Sequence, residues 1–225
     1  MHLDDWQVHH EPYIPHHPLK NGLRYLYQYS PREAFQIISS PAWTKAIFVR
    51  DPKERLLSAY LDKAARKDGI YVYRHCCPNN SLHSNTTTTS CAKQASTSFY
   101  DFVDVVRYQC CCDPHWKPQA KRVDDIFWKY MSFVGHFESL QDDTKRLLQN
   151  LGIWDDFGAS GWGLDGNESI FAESTYAQHK TNAKAKLISY YNQTRNHISI
   201  EDVVEELYFQ DYHHPVLNLT NLRIL

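Results

Sequence analysis

Glycine is scarce, 8 in 225 residues, and no GxxxxGKS or GxxxxGKT run occurs, which disfavours a kinase-like protein built on a Walker phosphate loop. An excess of basic charge is also missing. The 24 Lys and Arg are balanced by 26 Asp and Glu, a formal net charge of -2, which weakens any nucleic-acid reading but leaves room for a local anion pocket. No apolar run reaches the roughly 18 to 20 residues that a bilayer requires, and Met1-His2-Leu3-Asp4-Asp5 opens no signal peptide. The chain as written is therefore expected to be soluble and without an address. CxxC spacing is absent, and adjacent cysteines aim their thiolates awkwardly at one tetrahedral ion, so a zinc site is disfavoured. No internal repeat is found.

What is present suits a globular fold. Apolar residues make up 42% and charged residues 22%, ordinary values for one folded domain, with room for a long insertion. All six cysteines fall between Cys76 and Cys112, as Cys76-Cys77, Cys91 and Cys110-Cys111-Cys112, around a Ser/Thr/Asn-rich stretch. This clustering suggests a stapled insertion with up to three disulfides, for which fifteen pairings are possible, or free thiols in a reducing compartment. Five Asn-x-Ser/Thr sequons, at Asn79, Asn85, Asn167, Asn192 and Asn218, matter only if the chain enters a secretory lumen; coincidence in an Asn- and Thr-rich chain is the competing account.

Residues 1–31 form an irregular lead-in, and residues 32–212 are expected to form the main domain, with a long Cys/Ser/Thr-rich loop at 68–98. Residues 213–225 read as a tail. Pro31 to Ser39 is briefly helical, and Ala46-Ile47-Phe48-Val49 is a short continuous apolar run, the pattern of a strand buried on both faces. Asp51 then supplies an N-cap, Pro52 the first helical position and Glu54 the third residue of a capping box. The helix that follows sets Leu57, Leu61 and Ala64 on one face and Arg55, Ser58 and Asp62 on another.

Helical character returns over Phe99 to Tyr108. Two prolines in Asp113-Pro114-His115-Trp116-Lys117-Pro118-Gln119 enforce irregular backbone there. Ser132 to Phe137 is a second buried strand, followed by Ser139 and Asp142 in capping-box spacing and a helix carried by Leu140, Leu147, Leu148 and Leu151, with Gly152 placed to end it. The run Gly158 to Gly166 is a loop, and helices are expected over Asn182 to Tyr191 and Ser199 to Asp211. Strand followed by helix, twice, implies a layered α/β fold with a parallel sheet whose ligands sit beyond the carboxyl ends of the strands.

Arg50 stands at such an end. Its guanidinium can fork onto a phosphate while the helix beginning beyond it adds N–H donors, and the Ser58 hydroxyl, two turns on, can face the same anion. The competing account has Arg50 paired with a carboxylate such as Glu138 and Ser58 bonded to the Glu54 carbonyl.

The segment Phe48 to Lys63, FVRDPKERLLSAYLDK, resembles the 3'-phosphate-binding motif of the carbohydrate sulfotransferases, the group that includes the chondroitin and dermatan 4-O-sulfotransferases. Asp113 to Gln119 (DPHWKPQ) and Phe133 to Leu140 (FVGHFESL) match in the same order, and Tyr208 to Tyr212 (YFQDY) is a weaker fourth. The resemblance covers roughly residues 30–212. It implies a P-loop-like sulfotransferase fold, a parallel sheet flanked by helices. It also implies the donor 3'-phosphoadenosine 5'-phosphosulfate, with Arg50 and Ser58 on its 3'-phosphate, and a glycan or glycoprotein hydroxyl as acceptor. Neither metal nor nucleic acid is implied.

Sulfuryl transfer relies on positioning and electrostatics together with a base beside the attacking hydroxyl. His115 is the candidate, against the alternative that it merely orders its loop beside Trp116; Glu138 is the rival base, and His136 reads as structural.

The resemblance also implies a Golgi lumen setting, a membrane anchor in the full-length protein, and an earlier strand and loop whose lysine holds the 5'-phosphosulfate. No strand with a Gly/Cys-Thr-x-x-Lys-like turn precedes Ala46, so that first strand and loop are expected to lie outside this chain. Two readings follow. The chain is part of an enzyme completed elsewhere, or it is a catalytically silent domain that binds nucleotide or glycan.

Overall fold

The computed structural model describes residues 21–66, 70–77, 93–162, 165–171 and 181–220. The chain divides into two compact units, Met1–Lys45 and Ala46–Leu225. The division thus falls after Lys45, and the first helix stands in the same unit as the lead-in residues. That helix, α1 (Pro31–Ser39), starts as its sequence dictates. Ser30 accepts the Glu33 N–H, the Glu33 carboxylate accepts the Ser30 N–H, and Pro31 occupies the first turn.

The second unit opens with β1 (Ala46–Val49), which continues into α2 (Pro52–Ala59) and a π-helical segment, Tyr60–Ala65. Asp51 caps α2 through the Glu54 N–H at 2.8 Å. The return half of the expected capping box does not form, because the Glu54 carboxylate is drawn to the Arg50 guanidinium.

The stretch expected as a loop over 68–98 contains a helix, α3 (Ile70–Cys76). Seven residues are too few to show a period. Such a helix persists through tertiary anchoring rather than propensity: Val72 is fully buried, and Cys76 is disulfide-bonded to Cys110, 34 residues on. Cys110 follows α4 (Phe99–Tyr108), so the bridge joins the ends of two helices. Cys77 is disulfide-bonded as well. The staple expected around the insertion is therefore real, whereas Cys91, Asn79 and Asn85 lie outside the described residues.

The second buried run forms β2 (Phe133–His136), parallel to β1 with Ala46 opposite Phe133 and Val49 opposite His136. Gly135 is required here. A Cβ at that position would collide with the Phe48 ring on the neighbouring strand. After β2 comes α5 (Leu140–Asn150), ended by Leu151 and by Gly152 at φ 69°.

Ser139 precedes α5 but its side chain caps no helical N–H. Its hydroxyl donates to Asp143 at 2.8 Å, and the same carboxylate accepts the His136 N–H at 2.7 Å and Arg146 at 2.7 Å. Asp143, not the expected Asp142, thus ties strand to helix. Burial pushes its carboxyl up, but the bonds from His136, Ser139 and Arg146 outweigh that and hold it below the usual carboxylate range.

A short α6 (Trp154–Phe157) is followed by α7 (Ala183–Tyr191), entered through Asn182 at φ 52°. A two-residue hairpin, β3 (Thr194–Arg195) with β4 (Ile198–Ser199), leads to α8 (Ile200–Leu207), capped by Ser199 on the Asp202 N–H. The helix expected to run from Ser199 to Asp211 breaks at Tyr208, and α9 (Phe209–His213) resumes it. Tyr208 turns inward: its side chain is fully buried and its hydroxyl donates to the Trp116 carbonyl at 2.6 Å.

The main core packs α2, α4, α7 and α8 around Leu56, Leu57, Phe102, Val103, Tyr191 and Val204. Within it the Tyr60 ring lies 5.3 Å from Phe99 and 5.5 Å from Phe102. Lys53 is the exception in this apolar setting. Its side chain is 2% exposed, with Nζ 2.7 Å from Glu201 and 3.0 Å from Glu205 on α8. One ammonium serving two carboxylates locks the start of α2 to α8.

Lys53→Met leaves the buried Glu201 and the half-buried Glu205 without that cation and is expected to lower unfolding free energy by roughly 3 to 5 kcal/mol, read from urea melts; a loss near zero would show that the triad holds nothing. Asp143→Asn is expected to destabilise the chain at neutral pH. Because the folded-state pKa is depressed, the stabilisation exists above the unfolded value and is lost as pH falls through the folded one. The gap between variant and parent should therefore narrow below about pH 4. Parallel stability curves through that range would contradict it.

Candidate functional site

Arg50 emerges from the carboxyl end of β1 with its backbone held on both sides by one side chain. The Arg50 N–H donates to Gln119 Oε1 at 2.9 Å, and Gln119 Nε2 donates back to the Arg50 carbonyl at 2.8 Å. This is the pairing a further strand would offer, supplied by a carboxamide. The guanidinium pairs with Glu54 through Nη2 and sits 5.5 Å over the Phe137 ring. Its Nε is buried and has no hydrogen-bond partner among the described residues, an exception to the rule that buried donors are paired.

The carboxylate on Arg50 is thus Glu54 and not Glu138. Glu138 instead accepts the Asp51 N–H at 2.7 Å, at the mouth of α2. Burial pushes the Asp51 carboxyl up, and the nearby Glu138 adds to that rise. The amino end of α2 is accordingly ringed by Asp51, Glu54 and Glu138, which the cationic Arg50 and the helix dipole make tolerable. Ser58 lies further along α2, and its hydroxyl meets the Thr181 hydroxyl at 3.0 Å, just before α7. Thr181 is a partner that no local pattern indicates.

His115 lies in the Pro-bounded stretch as expected, with 40% of its side chain exposed. Asp113 anchors it twice, accepting the His115 N–H at 2.8 Å and facing Nδ1 at 2.8 Å. Tyr71 completes the group: its hydroxyl donates to the other Asp113 oxygen at 3.0 Å and lies 2.9 Å from Nδ1. Burial, with the Asp113 charge and hydrogen bond, pushes the Tyr71 hydroxyl up to about 12, so it remains a donor at neutral pH. With Tyr71 donating to one Asp113 oxygen, Nδ1–H donates to the other. Nε2 then carries the lone pair, the tautomer that a base oriented by a carboxylate requires.

Four stretches that are distant in sequence meet around these groups. Arg55 on α2 donates to the Lys117 carbonyl at 2.9 Å and the Pro114 carbonyl at 3.0 Å, and Arg122 also donates to Pro114. From the carboxyl end of the chain, the Tyr208 hydroxyl holds the Trp116 carbonyl, and the Asp211 carboxylate accepts the N–H groups of Gln119 at 2.9 Å and Ala120 at 2.8 Å. Asp211 is fully buried. Trp116 is buried too, its indole donating to the Cys110 carbonyl at 2.6 Å. His136 is structural, its Nε2 lying 2.9 Å from the Leu217 carbonyl.

Gln119, Tyr208 and Asp211 were visible in the sequence only as members of the segments DPHWKPQ and YFQDY. Their roles depend on contacts spanning 69 to 92 residues, which periodicity cannot reveal. Tyr71 had no signal at all, since its helix was read as loop.

A profile described as the sulfotransferase family matches residues 4–214. Human carbohydrate sulfotransferase 9 is 30% identical over 117 residues, covering 49% of this chain and 26% of its own length. Carbohydrate sulfotransferase 11 of Mus musculus is 25% identical over 178 residues, 71% of this chain and 48% of its own. Human carbohydrate sulfotransferase 10 is 28% identical over 152 residues, 62% and 41% respectively. The chain thus spans from about a quarter to about half of the length of these relatives. No solved structure matches it. The four converging segments and a profile match across nearly the whole described chain lead to one statement: the chain belongs to the sulfotransferase family, and the relatives it matches there are carbohydrate sulfotransferases.

Proposed function

We propose that this chain forms the 3'-phosphate-binding half of an enzyme that moves a sulfuryl group from 3'-phosphoadenosine 5'-phosphosulfate to a carbohydrate hydroxyl. The observation that carries the reading is Arg50, at the carboxyl end of a parallel strand and beside a helix start, with a buried Nε that has no partner among the described residues. Once the guanidinium turns to uncover that Nε, a phosphate there gains a charge-assisted hydrogen bond from it and the positive end of α2. Glu54, now on Nη2, must share or yield the guanidinium when the phosphate arrives. Ser58 is proposed as a second donor to the same group, with its hydroxyl turning from Thr181.

In the transfer itself, the acceptor hydroxyl attacks sulfur in line. Its proton passes to His115 Nε2, the new sulfate ester bond forms, and the bond from sulfur to the donor's 5'-phosphate oxygen breaks. Adenosine 3',5'-bisphosphate departs. Asp113 compensates the imidazolium, and Tyr71 keeps Asp113 aimed at Nδ1.

The sulfate-side lysine loop is proposed to lie in a part of the protein outside this chain. A glycan or glycoprotein acceptor and a Golgi lumen setting agree with the Cys76–Cys110 disulfide and with three exposed sequon asparagines, Asn167, Asn192 and Asn218.

Calorimetry on the chain alone is expected to show binding of adenosine 3',5'-bisphosphate that disappears in Arg50→Ala; absence of binding by the unmutated chain would remove the half-site. In the full-length enzyme, His115→Ala is expected to lower kcat about 100- to 10,000-fold with donor KM little changed. An unaltered kcat would take His115 out of the reaction.

A further inference from the structure

Cys111 and Cys112 differ from the other described cysteines. Cys76, Cys77 and Cys110 are disulfide-bonded, whereas Cys111 and Cys112 are free thiols, both exposed. Consecutive side chains in extended backbone point to opposite faces, and consecutive side chains on a helix diverge. Adjacent cysteines therefore rarely bring their sulfurs into contact. In the turn after α4 they do, with Sγ atoms 2.9 Å apart.

The turn is held on both sides. Cys110 is bonded to Cys76 and its carbonyl accepts the buried Trp116 indole. Asp113, on the other side, is occupied by the His115 N–H and the Tyr71 hydroxyl. With both flanks anchored, the two thiols have little room to separate. The hydrogen bond to Cys112, then partial burial and its neighbour's charge, push the Cys111 thiol up, as expected of two thiols that share one proton-bearing contact.

We infer that Cys111 and Cys112 form a redox-active dithiol, oxidised reversibly by small disulfides such as glutathione disulfide to a bond between the two neighbouring residues. One thiol loses its proton, and its sulfur attacks the small disulfide. An S–S bond to one glutathionyl group forms as the other leaves as thiolate. The second cysteine, deprotonated in turn, attacks the first cysteine's sulfur and expels the second glutathione thiolate. The two protein thiols give up two electrons and two protons, and one disulfide becomes two thiols. No metal or further oxidant enters. The reaction changes backbone restraint one residue before Asp113, the residue that orients His115. The inference stands on the thiol geometry and does not depend on the transferase reading.

The test incubates the chain with glutathione disulfide under conditions that leave Cys76–Cys110 intact, then alkylates, digests and sequences the cysteine peptides by mass spectrometry. The expected result is loss of both alkylatable thiols, a mass lower by two hydrogens at Cys111-Cys112, no retained glutathione, and recovery of both thiols on return to reduced glutathione. Cys111→Ser and Cys112→Ser should each retain one glutathionyl group on the remaining cysteine, because the resolving sulfur is gone. Persistent glutathionylation of the unmutated chain, disulfide-linked dimers, or a new bond from Cys111 or Cys112 to Cys76 or Cys77 would overturn the inference.

Discussion

A single carboxamide joins the two halves of the candidate site. Gln119 pairs with both backbone groups of Arg50, and its own N–H rests on the buried Asp211 carboxylate. The sheet formed by β1 and β2 offers Arg50 no third strand among the described residues, so a side chain supplies that pairing. Polar backbone at the end of a buried strand must be satisfied somewhere. Here that requirement also fixes the residue proposed to meet phosphate. Asp211 is tolerated without exposure because N–H donors surround it. The carboxyl-terminal helix, the Pro-bounded stretch and the strand end are thereby bound into one polar network.

The charges around α2 are compensated in pairs and triads. Lys53 answers Glu201 and Glu205 inside the core, Arg50 answers Glu54 at the surface of the helix start, and Glu138 takes the Asp51 N–H. In the proposed function, such an arrangement is the resting form of the phosphate site. The helix end and the arginine already carry carboxylates, so the proposed phosphate would exchange one oxygen ligand for another instead of filling a bare cationic hole.

The cysteine-rich insertion serves the same centre. Its disulfide sets Cys110, whose carbonyl takes the Trp116 indole, and α3 brings Tyr71 to Asp113 and His115. A segment with few large apolar side chains is tied to the site by the disulfide and polar contacts together with the buried Val72.

The cap at Asp51, the two apolar strand runs, their parallel pairing, the glycine end of α5 and the four segments that resemble sulfotransferase motifs were all legible from residue order. Each depends on neighbours within a few positions or on a pattern long enough to repeat. Tertiary structure decided the rest. Glu54 takes Arg50 because it lies only four residues on, in the first turn of α2, while Glu138 is taken by the Asp51 N–H. The helix at Ile70–Cys76 exists because a disulfide and a buried valine hold it, and the break at Tyr208 exists because its hydroxyl reaches Trp116. Local sequence carries backbone preference and periodicity. Which polar side chain satisfies which distant group is settled only when the core closes and leaves each buried donor and acceptor a short choice of partners.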